Sequence, residues 1–562
     1  MAELVELTST DDSASPAVAP GRASLSGRSE LAAAAVFYGY LAVAAVLLVR
    51  WNSYTWFFSD DWSWLGERDV RSFDDLMRSY NDHWSTIPFI FWRVLYRLFG
   101  VGSYTPYLVA LIASHLAVVA CVRMVMRRSG VGPWMATAVA APLVLLGIGE
   151  QAMSLASVLN FNVAIVVVLV YLAVVFDGPD RVVKRDLIGF GLGLIALMTS
   201  GVAVAGIFAI GVTLWARRGL RIAAFHVVPL AAIYLGWYVL FHSPALVVPG
   251  VGSPGPGTLL DWVWTGVSTA AKGLVTTTSG GGGPLALLLL GLVVAAFVIG
   301  IRDRGLDRML RDMAAPVALA VGAIGLQLLS GWGRAAFAPD TAAGSRYLYL
   351  LVAWSLPLLA VAAQILAERW RIAGLAVCVV LLAGVPWNAR QFGKSVFNDA
   401  YFSNYRTVVS AIAHDPRLDH VPADVHPIRI LLDGPTAGWL RENRGEGGLP
   451  EPGQLSDAQA IEVTARLSVG QLNGWAGDDC TSTGPSATTT LERGEVVGVK
   501  VPIPQRSLWP GAFISVEVLN GDTVVGRANY QMTAVELFTG TAPRPVKVRF
   551  TSLDGSALSL CS

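Results

Sequence analysis

The sequence predicts a mainly α-helical polytopic membrane protein, with about eleven membrane-spanning helices and a β-rich C-terminal domain outside the cytoplasm. Hydrophobic residues make up 54% of the 562 residues and charged residues only 14%, whereas soluble domains contain about 25% charged residues. The long apolar runs lie within residues 31–392, and a cluster of basic residues follows every second run. The net charge of +1 argues against nucleic acid as a partner, because such a partner requires a basic face.

Each span is expected where an apolar run approaches the roughly 20 residues that a helix needs to cross a bilayer. Residues 1–30 are polar and rich in Ser, Ala, Asp and Pro, which indicates a disordered tail. The first apolar run has no cleavage pattern close behind it, so we expect a retained helix. The runs 187–199 and 201–216 are short and nearly continuous, and can also form one broken segment. The candidate runs are 31–49, 104–122, 132–149, 159–176, 187–199, 201–216, 222–241, 284–301, 313–331, 347–366 and 372–387.

The basic residues between the runs predict the orientation. Cytoplasmic loops carry an excess of Lys and Arg, and with eleven spans every basic cluster falls on the side of the N-terminus. We therefore expect a multi-pass plasma-membrane protein with a cytoplasmic N-terminus and an extracytoplasmic tail. The clusters lie at 123–128, 181–185, 217–221, 302–311 and 369–371.

Two external loops stand out. The first, residues 50–103, is long and aromatic, and Ile87–Phe99 within it has the mixture of apolar, aromatic and basic residues that suits a helix lying in the membrane interface. The loop at 242–283 is rich in Gly and Pro, which makes it a candidate lid.

The tail, residues 393–562, is predicted to be a small β-sandwich or barrel. Short runs rich in Val and aromatic residues alternate with Gly, Pro and Asn, and a buried strand at Ile428–Leu432 and a helix at Asp457–Leu467 are expected before them. Outside the cytoplasm, Cys480 and Cys561 can form a disulfide. We expect this domain to bind carbohydrate or to position an acceptor. The strand runs are Val496–Val501, Phe513–Val518, Thr523–Gln531 and Val546–Phe550.

The strongest chemical feature is a pair of adjacent carboxylates, Asp60 and Asp61, in the aromatic segment 57–62 just beyond the first helix. Carboxylates at the membrane boundary are costly unless water, a cation or a substrate meets them. One can accept a hydroxyl proton while the other orients it or binds a divalent cation such as Mg, Mn or Ca. The alternative is that both are solvated loop acids.

The carboxylate pair directly after the first helix, the long first loop, the many spans and the external tail resemble the GT-C fold. Members of this fold are integral-membrane glycosyltransferases that use lipid-phosphate sugars. The Arg346–Tyr347 step at the start of a late helix also looks like the Arg-Tyr found in several members. The resemblance covers residues 31–390 and implies that Asp60 or Asp61 is the general base, with the choice between them open.

This chemistry requires positive charge near the departing phosphate. Arg346 is the first candidate for that role, because a guanidinium group binds phosphate in a bidentate manner, and Arg334 is the second. His83 can contact the phosphate or a sugar hydroxyl, or hold a metal with Asp82. The alternatives are an interfacial anchor for the arginines and ordinary loop hydrogen bonds for the histidine. Further candidates for the lining of a substrate cavity are Asp82, Trp62, Trp84, Glu150, Gln151 and Asn160.

Together these features predict an inverting glycosyltransferase that moves a sugar from a polyprenyl-phosphate donor to an envelope glycan or glycolipid. Abundant Ala, Gly, Val and Arg with few Lys indicate a bacterial genome rich in G and C, which favours an arabinofuranosyl- or mannosyltransferase. The alternatives are a lipid-linked sugar transporter or flippase, for which mid-helix charges and repeated halves would be expected, and a non-catalytic membrane protein that binds envelope glycan.

Overall fold

The structure, a computed structural model, has a helical N-terminal part followed by a C-terminal domain of helices and antiparallel sheets. The helices of the N-terminal part are α1 (Pro20–Trp51), α2 (Asp60–Gly66), α3 (Phe73–Met77), α4 (Thr86–Phe99), α5 (Thr105–Arg128), α6 (Pro133–Val144), α7 (Gln151–Ser154), α8 (Leu159–Val175), α9 (Lys184–Leu197), α10 (Val202–Arg218), α11 (Leu220–Phe241), α12 (Pro256–Gly273), α13 (Gly283–Arg304), α14 (Leu306–Arg334), α15 (Ser345–Arg369) and α16 (Arg371–Ala389). The residues described are 20–66, 68–243, 253–275, 282–336, 339–392, 394, 398–429, 434–445, 448–474, 479–502, 512–532 and 535–561.

The predicted fold class is confirmed, and each of the eleven apolar runs coincides with a helix. In the described ranges, eight helices are long and apolar enough to cross a membrane by length and composition. The other three runs form α6, α9 and α10, which have 12, 14 and 17 residues. The count of eleven therefore includes three helices shorter than the roughly 20 residues that a full span needs.

The helices α9 and α10 form a hairpin and not one broken segment. Arg218 at the end of α10 donates two hydrogen bonds to Asp186 near the start of α9, with Nη1–Oδ1 and Nη2–Oδ2 distances of 2.7 and 3.0 Å. The turn between the helices contacts the first loop, because the Gly201 N–H donates to Nδ1 of His83. The basic ends of both helices thus lie together, on the side away from the first loop, as the positions of the basic clusters predict.

We expect the change Arg218→Met to destabilise the protein by about 3–5 kcal/mol, because it leaves the fully buried Asp186 without its ionic partner. The matched control is Arg217→Met. Arg217 pairs with Asp177, whose side chain is 67% exposed, and exposed pairs contribute at most about 1 kcal/mol. Thermal unfolding in detergent measures the difference, and equal Tm values for the two variants would contradict this account of the hairpin.

The C-terminal domain places three helices before and beside a β-sandwich. One sheet has the strand order β1-β7-β4-β9-β2 and the other β3-β8-β5-β6, with antiparallel pairing throughout. The elements are α17 (Asp399–His414), α18 (Ala437–Glu442), α19 (Asp457–Ser468), β1 (Val469–Leu472), β2 (Cys480–Gly484), β3 (Ser486–Leu491), β4 (Val496–Lys500), β5 (Ala512–Asn520), β6 (Thr523–Met532), β7 (Val535–Gly540), β8 (Val546–Ser552) and β9 (Leu558–Cys561).

The two sheets enclose one apolar core, in which Phe538 of the first sheet packs against Tyr530 and Phe550 of the second. Cys480 and Cys561, opposite each other on β2 and β9, form a disulfide. The four predicted strand runs correspond to β4, β5, β6 and β8, and the predicted helix corresponds to α19. The strand expected at Ile428–Leu432 is absent at residues 428 and 429, and its remainder lies outside the described residues.

The C-terminal domain packs directly on the first loop. The indole Nε1 of Trp62 donates to the Tyr405 hydroxyl at 2.9 Å, and its ring contacts Trp439 with a centroid distance of 5.5 Å. The Tyr96 hydroxyl of α4 donates to Oδ1 of Asn443. These contacts continue the apolar core of the helical part into α17 and α18, so the domain is fixed against the loop that carries Asp60 and Asp61.

Three further expectations about the N-terminal part can be compared with the structure. The first helix begins at Pro20, within the stretch 1–30 that the composition assigns to a tail, and residues 1–19 lie outside the described part. The amphipathic segment forms α4, which buries Phe89 and Trp92 and exposes Ile90, Phe91, Val94 and Leu98. The loop expected at 242–283 as a candidate lid is wrong in its middle part, because Pro256–Gly273 form the helix α12. Residues 244–252 and 276–281 of this stretch lie outside the described residues.

Candidate active site

A small cavity between the first loop and the ends of three long helices brings together five of the predicted site residues. Asp60 and His83 come from the first loop, Asn160 from the start of α8, Arg334 from the end of α14 and Arg346 from the start of α15. The cavity has a volume of about 30 Å³, which holds one or two water molecules, so a sugar phosphate can enter only if the walls move. The complete lining is Asp60, Trp64, Tyr80, Asn81, His83, Ser157, Val158, Asn160, Phe161, Arg334, Arg346 and Tyr347.

The two adjacent carboxylates have different surroundings. Asp60 is half-buried and lines the cavity. Asp61 is 1% exposed and lies outside the lining, where its Oδ2 accepts the Phe58 N–H at 3.0 Å and the Tyr104 hydroxyl at 3.1 Å. Burial raises the pKa of Asp61 well above its usual range, which favours the neutral acid. Asp60 therefore faces the site, and Asp61 holds the turn that presents it.

The backbone around Asp60 and His83 is unusual at three positions. Ser59, directly before Asp60, has a φ of 47°, and Asn81 and Asp82 have φ values of 48° and 66°. Non-glycine residues rarely adopt this left-handed region, and where they do it is often at functional sites. Positive φ at both central residues defines a type I′ turn, closed here by two 2.9 Å backbone hydrogen bonds between Tyr80 and His83.

His83 is a neutral hydrogen-bond donor at the wall of the cavity. Burial, together with the positive charges of Arg334 and Arg346, lowers its pKa to about 4. Its Nδ1 accepts the Gly201 N–H at 3.2 Å, which leaves the proton of the neutral ring on Nε2. Nε2 can therefore donate to a phosphate oxygen or a sugar hydroxyl throughout the physiological pH range.

The change Gly201→Ala is expected to displace His83, because a Cβ at this position would stand 2.7 Å from Nδ1. A displacement of about 1 Å in an active site can cost up to about 10²-fold, and we expect a loss of roughly tenfold in kcat/KM of the reaction proposed below. Gly191→Ala is the matched control, since a Cβ there meets nothing within 4 Å. Equal kcat/KM values for the two variants would exclude a role for the Gly201–His83 contact.

The two arginines place positive charge beside the cavity. In the described ranges no carboxylate forms an ion pair with Arg334 or Arg346. The Arg346 guanidinium carbon lies 5.5 Å from the centroid of the Tyr347 ring and 6.0 Å from that of Phe161, and Arg334 lies 6.0 Å from Tyr347. Charges away from bulk water are usually paired, so this arrangement suits a bound anion, and guanidinium geometry matches phosphate.

Five other residues that the sequence suggested for the cavity lie elsewhere. Trp62 is bound to the C-terminal domain, as described above. Trp84 stacks on Trp237 with a centroid distance of 5.4 Å and donates its Nε1 proton to Thr86. Asp82 is exposed on the outer side of its turn and contacts His242 at 3.0 Å. All three side chains have structural contacts away from the site.

Glu150 and Gln151 also lie outside the lining, and the backbone of Gln151 contacts the start of α15. The Gln151 N–H donates to the Ser345 hydroxyl at 3.0 Å, directly before Arg346. The short turns at 147–158 thus hold the start of α15.

Several lining residues were not singled out from the sequence. Asn-Asp at 81–82 is a signal for a type I′ turn, and this could have placed Tyr80 and His83 side by side. Tyr347 was noticed only as the neighbour of Arg346, and Trp64 only as one of several first-loop tryptophans that can stack on a sugar or lie in the membrane interface. Ser157 carries no local signal, because its place in the site depends on how the 147–158 segment packs against the first loop.

The carboxylate pair does not form a metal site of the expected kind. Asp61 is turned into the protein and favours the neutral acid, and Asp60 shares its cavity with two arginines. Metal cations require deprotonated ligands that converge on one point. In the part of the chain that is described, no group of three or more His, Cys, Asp or Glu side chains could hold a metal ion.

An apolar groove lies among the helices α12, α13, α14 and α15. It has a volume of about 200 Å³ and is lined by apolar side chains of α12, α13, α14 and α15. Leu351 in its wall lies five residues beyond Arg346 on the same helix, about 7.5 Å along the axis.

None of the known protein-family models matches this chain, and no curated protein sequence does. Among solved structures, the chain is similar to ArnT from Cupriavidus metallidurans bound to undecaprenyl phosphate, with 14% identity and a TM-score of 0.39 over 71% of this chain and 83% of that one. It is also similar to the apo state of the same protein, with 15% identity and a TM-score of 0.31 over 76% of this chain and 87% of that one. Both likenesses are weak, and the function proposed below rests on the cavity itself.

Proposed function

We propose that this protein is an inverting glycosyltransferase that moves a sugar from a polyprenyl-phosphate donor to an envelope glycan or glycolipid on the outer side of the membrane. The observation that carries the proposal is a single cavity lined by one carboxylate residue, Asp60, and by two arginines, Arg334 and Arg346. A base and a phosphate-binding cluster are the two elements that transfer from a phosphate leaving group requires.

The donor is assigned from the two sites that a lipid phosphate needs. Its phosphate would bind Arg334 and Arg346, and its isoprenoid chain would lie in the apolar groove between α12 and α15. Both sites include residues of α15, and Leu351 of the groove lies about 7.5 Å along the helix axis from Arg346. A water-soluble sugar nucleotide would leave the groove unused.

The chemistry is a single displacement. Asp60 removes the proton from the acceptor hydroxyl as its oxygen attacks the anomeric carbon, and the bond from that carbon to the phosphate oxygen breaks. The electron pair goes to the phosphate, whose charge is stabilised by Arg334, by Arg346 and by the Nε2 proton of His83. Without a covalent intermediate the anomeric configuration inverts. Asp61 is a positioning residue, because it fixes the backbone of the Phe58–Asp61 turn through the Phe58 N–H.

The experiment is a transfer assay with purified protein in lipid nanodiscs. A panel of polyprenyl-phosphate sugars, including arabinofuranose and mannose donors, is offered with envelope-glycan acceptors, and release of polyprenyl phosphate and the configuration of the product are measured. We expect one donor to be consumed with inversion. Retention of configuration would contradict the single displacement, and the absence of any turnover would contradict the enzyme.

The transporter alternative predicts a different result in the same material. A flippase would move a lipid-linked sugar between leaflets without releasing polyprenyl phosphate. The buried Asp186 of the α9–α10 hairpin accepts a hydrogen bond from Arg218 and contacts His226. These groups have partners within the protein, which gives them a structural role. Asp60, Arg334 and Arg346, in contrast, line a cavity at the ends of the long helices, and this distribution favours the enzyme.

A further inference from the structure

A second and larger cavity lies on the opposite side of the turn that carries Asp61. It is a groove of about 770 Å³ between residues 53–56 of the first loop, residues 102–105 at the start of α5, helix α17 and residues 450–453. No residue lines both this groove and the cavity of Asp60. Its volume falls within the roughly 300–1,000 Å³ of ligand pockets in proteins.

The lining of the groove is polar and nearly neutral. Seven serine and threonine side chains contribute to it, and its charged residues are Asp399, Arg406 and Glu451, which give a formal charge of −1. Hydroxyl groups both donate and accept hydrogen bonds, so this surface matches a ligand with many hydroxyl groups. The absence of an excess of cations among these described residues argues against an anionic polymer.

Three buried polar atoms of the lining residues add an independent observation. Thr55 Oγ1, Trp56 Nε1 and Ser410 Oγ have no hydrogen-bond partner among the described residues, and the three residues are only 4%, 2% and 1% exposed. A buried polar group without a partner costs about 1–3 kcal/mol. Thr55 and Trp56 belong to the first loop, and Ser410 belongs to the C-terminal domain. Rotation about χ1 changes the direction of the hydroxyl groups of Thr55 and Ser410.

We propose that this groove binds an uncharged oligosaccharide, namely a stretch of the acceptor glycan away from its reacting end. That the glycan is an acceptor rests on the proposed function, whereas the binding of an uncharged oligosaccharide does not. The groove is coupled to the reaction site through Tyr104, which lines the groove and donates a hydrogen bond from its hydroxyl to Asp61. Occupation of the groove therefore fixes the glycan beside the turn that presents Asp60.

The test is direct binding of uncharged hexasaccharides of arabinose, mannose and glucose to the full chain in nanodiscs, measured by calorimetry without donor. The variant Ser403→Trp fills the groove from an exposed position of α17, and Ala400→Trp is the matched control on the same helix outside the lining. We expect one hexasaccharide to bind wild type and Ala400→Trp equally and Ser403→Trp at least about tenfold more weakly. Equal binding by all three proteins, or no binding of any hexasaccharide, would overturn the proposal.

A second variant separates binding from folding. Ser410→Ala removes a hydroxyl that has no partner, so we expect an unchanged or higher Tm together with weaker oligosaccharide binding. A lower Tm with unchanged affinity would show that the hydroxyl is structural and would count against the groove. Oligosaccharide binding without consumption of any donor would retain the groove and remove the transfer reaction. Donor consumption without oligosaccharide binding in the groove would retain the transfer reaction and overturn the groove proposal.

Discussion

Asp60→Asn is expected to lower kcat for sugar transfer by about 10²–10⁴-fold, the range that a general base contributes. The asparagine keeps the size and polarity of the side chain but cannot accept the proton of the acceptor hydroxyl. Because Asp60 is only half-buried at the start of α2, the change should not unfold the protein. The measurement is the rate of polyprenyl-phosphate release at saturating donor and acceptor.

The neighbouring variant Asp61→Asn is the control for this experiment. Asp61 favours the neutral acid, and its Oδ2 accepts hydrogen bonds from the Phe58 N–H and the Tyr104 hydroxyl, which an asparagine oxygen can also accept. We expect Asp61→Asn to keep most of the wild-type kcat. If Asp61→Asn were the inactive variant and Asp60→Asn the active one, the assignment of the base would be wrong.

Arg346→Gln is expected to lower kcat/KM for the donor by about 10²–10³-fold, the usual cost of removing one group that stabilises a developing negative charge. Arg346→Lys should restore only part of this loss, because lysine keeps the charge and lacks the planar fork that binds phosphate in a bidentate manner. The kinetics are measured against donor concentration at fixed acceptor.

Arg369→Gln provides the matched control for the arginine. It removes an exposed guanidinium from the other end of the same helix α15, far from the cavity. We expect wild-type kinetics from this variant. A loss confined to Tm in Arg346→Gln, with kcat/KM unchanged, would show that Arg346 anchors the helix at the interface and binds no phosphate.

The sequence predicts the architecture well because membrane helices leave strong local signals. Each of the eleven apolar runs corresponds to a helix, and the basic clusters correctly place the ends of α9 and α10 together. The lengths of the helices are predicted less well, since α6, α9 and α10 are shorter than a full span. The sequence also does not report how these helices pack: α6 and α10 are mostly buried among their neighbours, whereas α9 exposes Leu187, Ile188 and Ile195.

The site was predicted in part. Residue type and position were enough to select Asp60, His83, Asn160, Arg334 and Arg346, which all line one cavity. The choice between Asp60 and Asp61 could not be made from sequence, because adjacent residues of the same type differ only in the direction that the Ser59 backbone gives them.

Trp62 and Trp84 were misplaced for a related reason. An aromatic residue in an external loop can stack on a sugar or hold two segments together, and only the positions of Tyr405 and Trp237 decide between these roles.

The most direct measurement of the central claim is a structure of the protein in nanodiscs with a polyprenyl phosphate, determined by electron cryomicroscopy. The account predicts that the phosphate binds between Arg334 and Arg346 in a widened cavity beside Asp60, with the isoprenoid chain in the groove lined by α12 to α15. A phosphate bound away from both arginines, with the cavity of Asp60 unchanged, would contradict it.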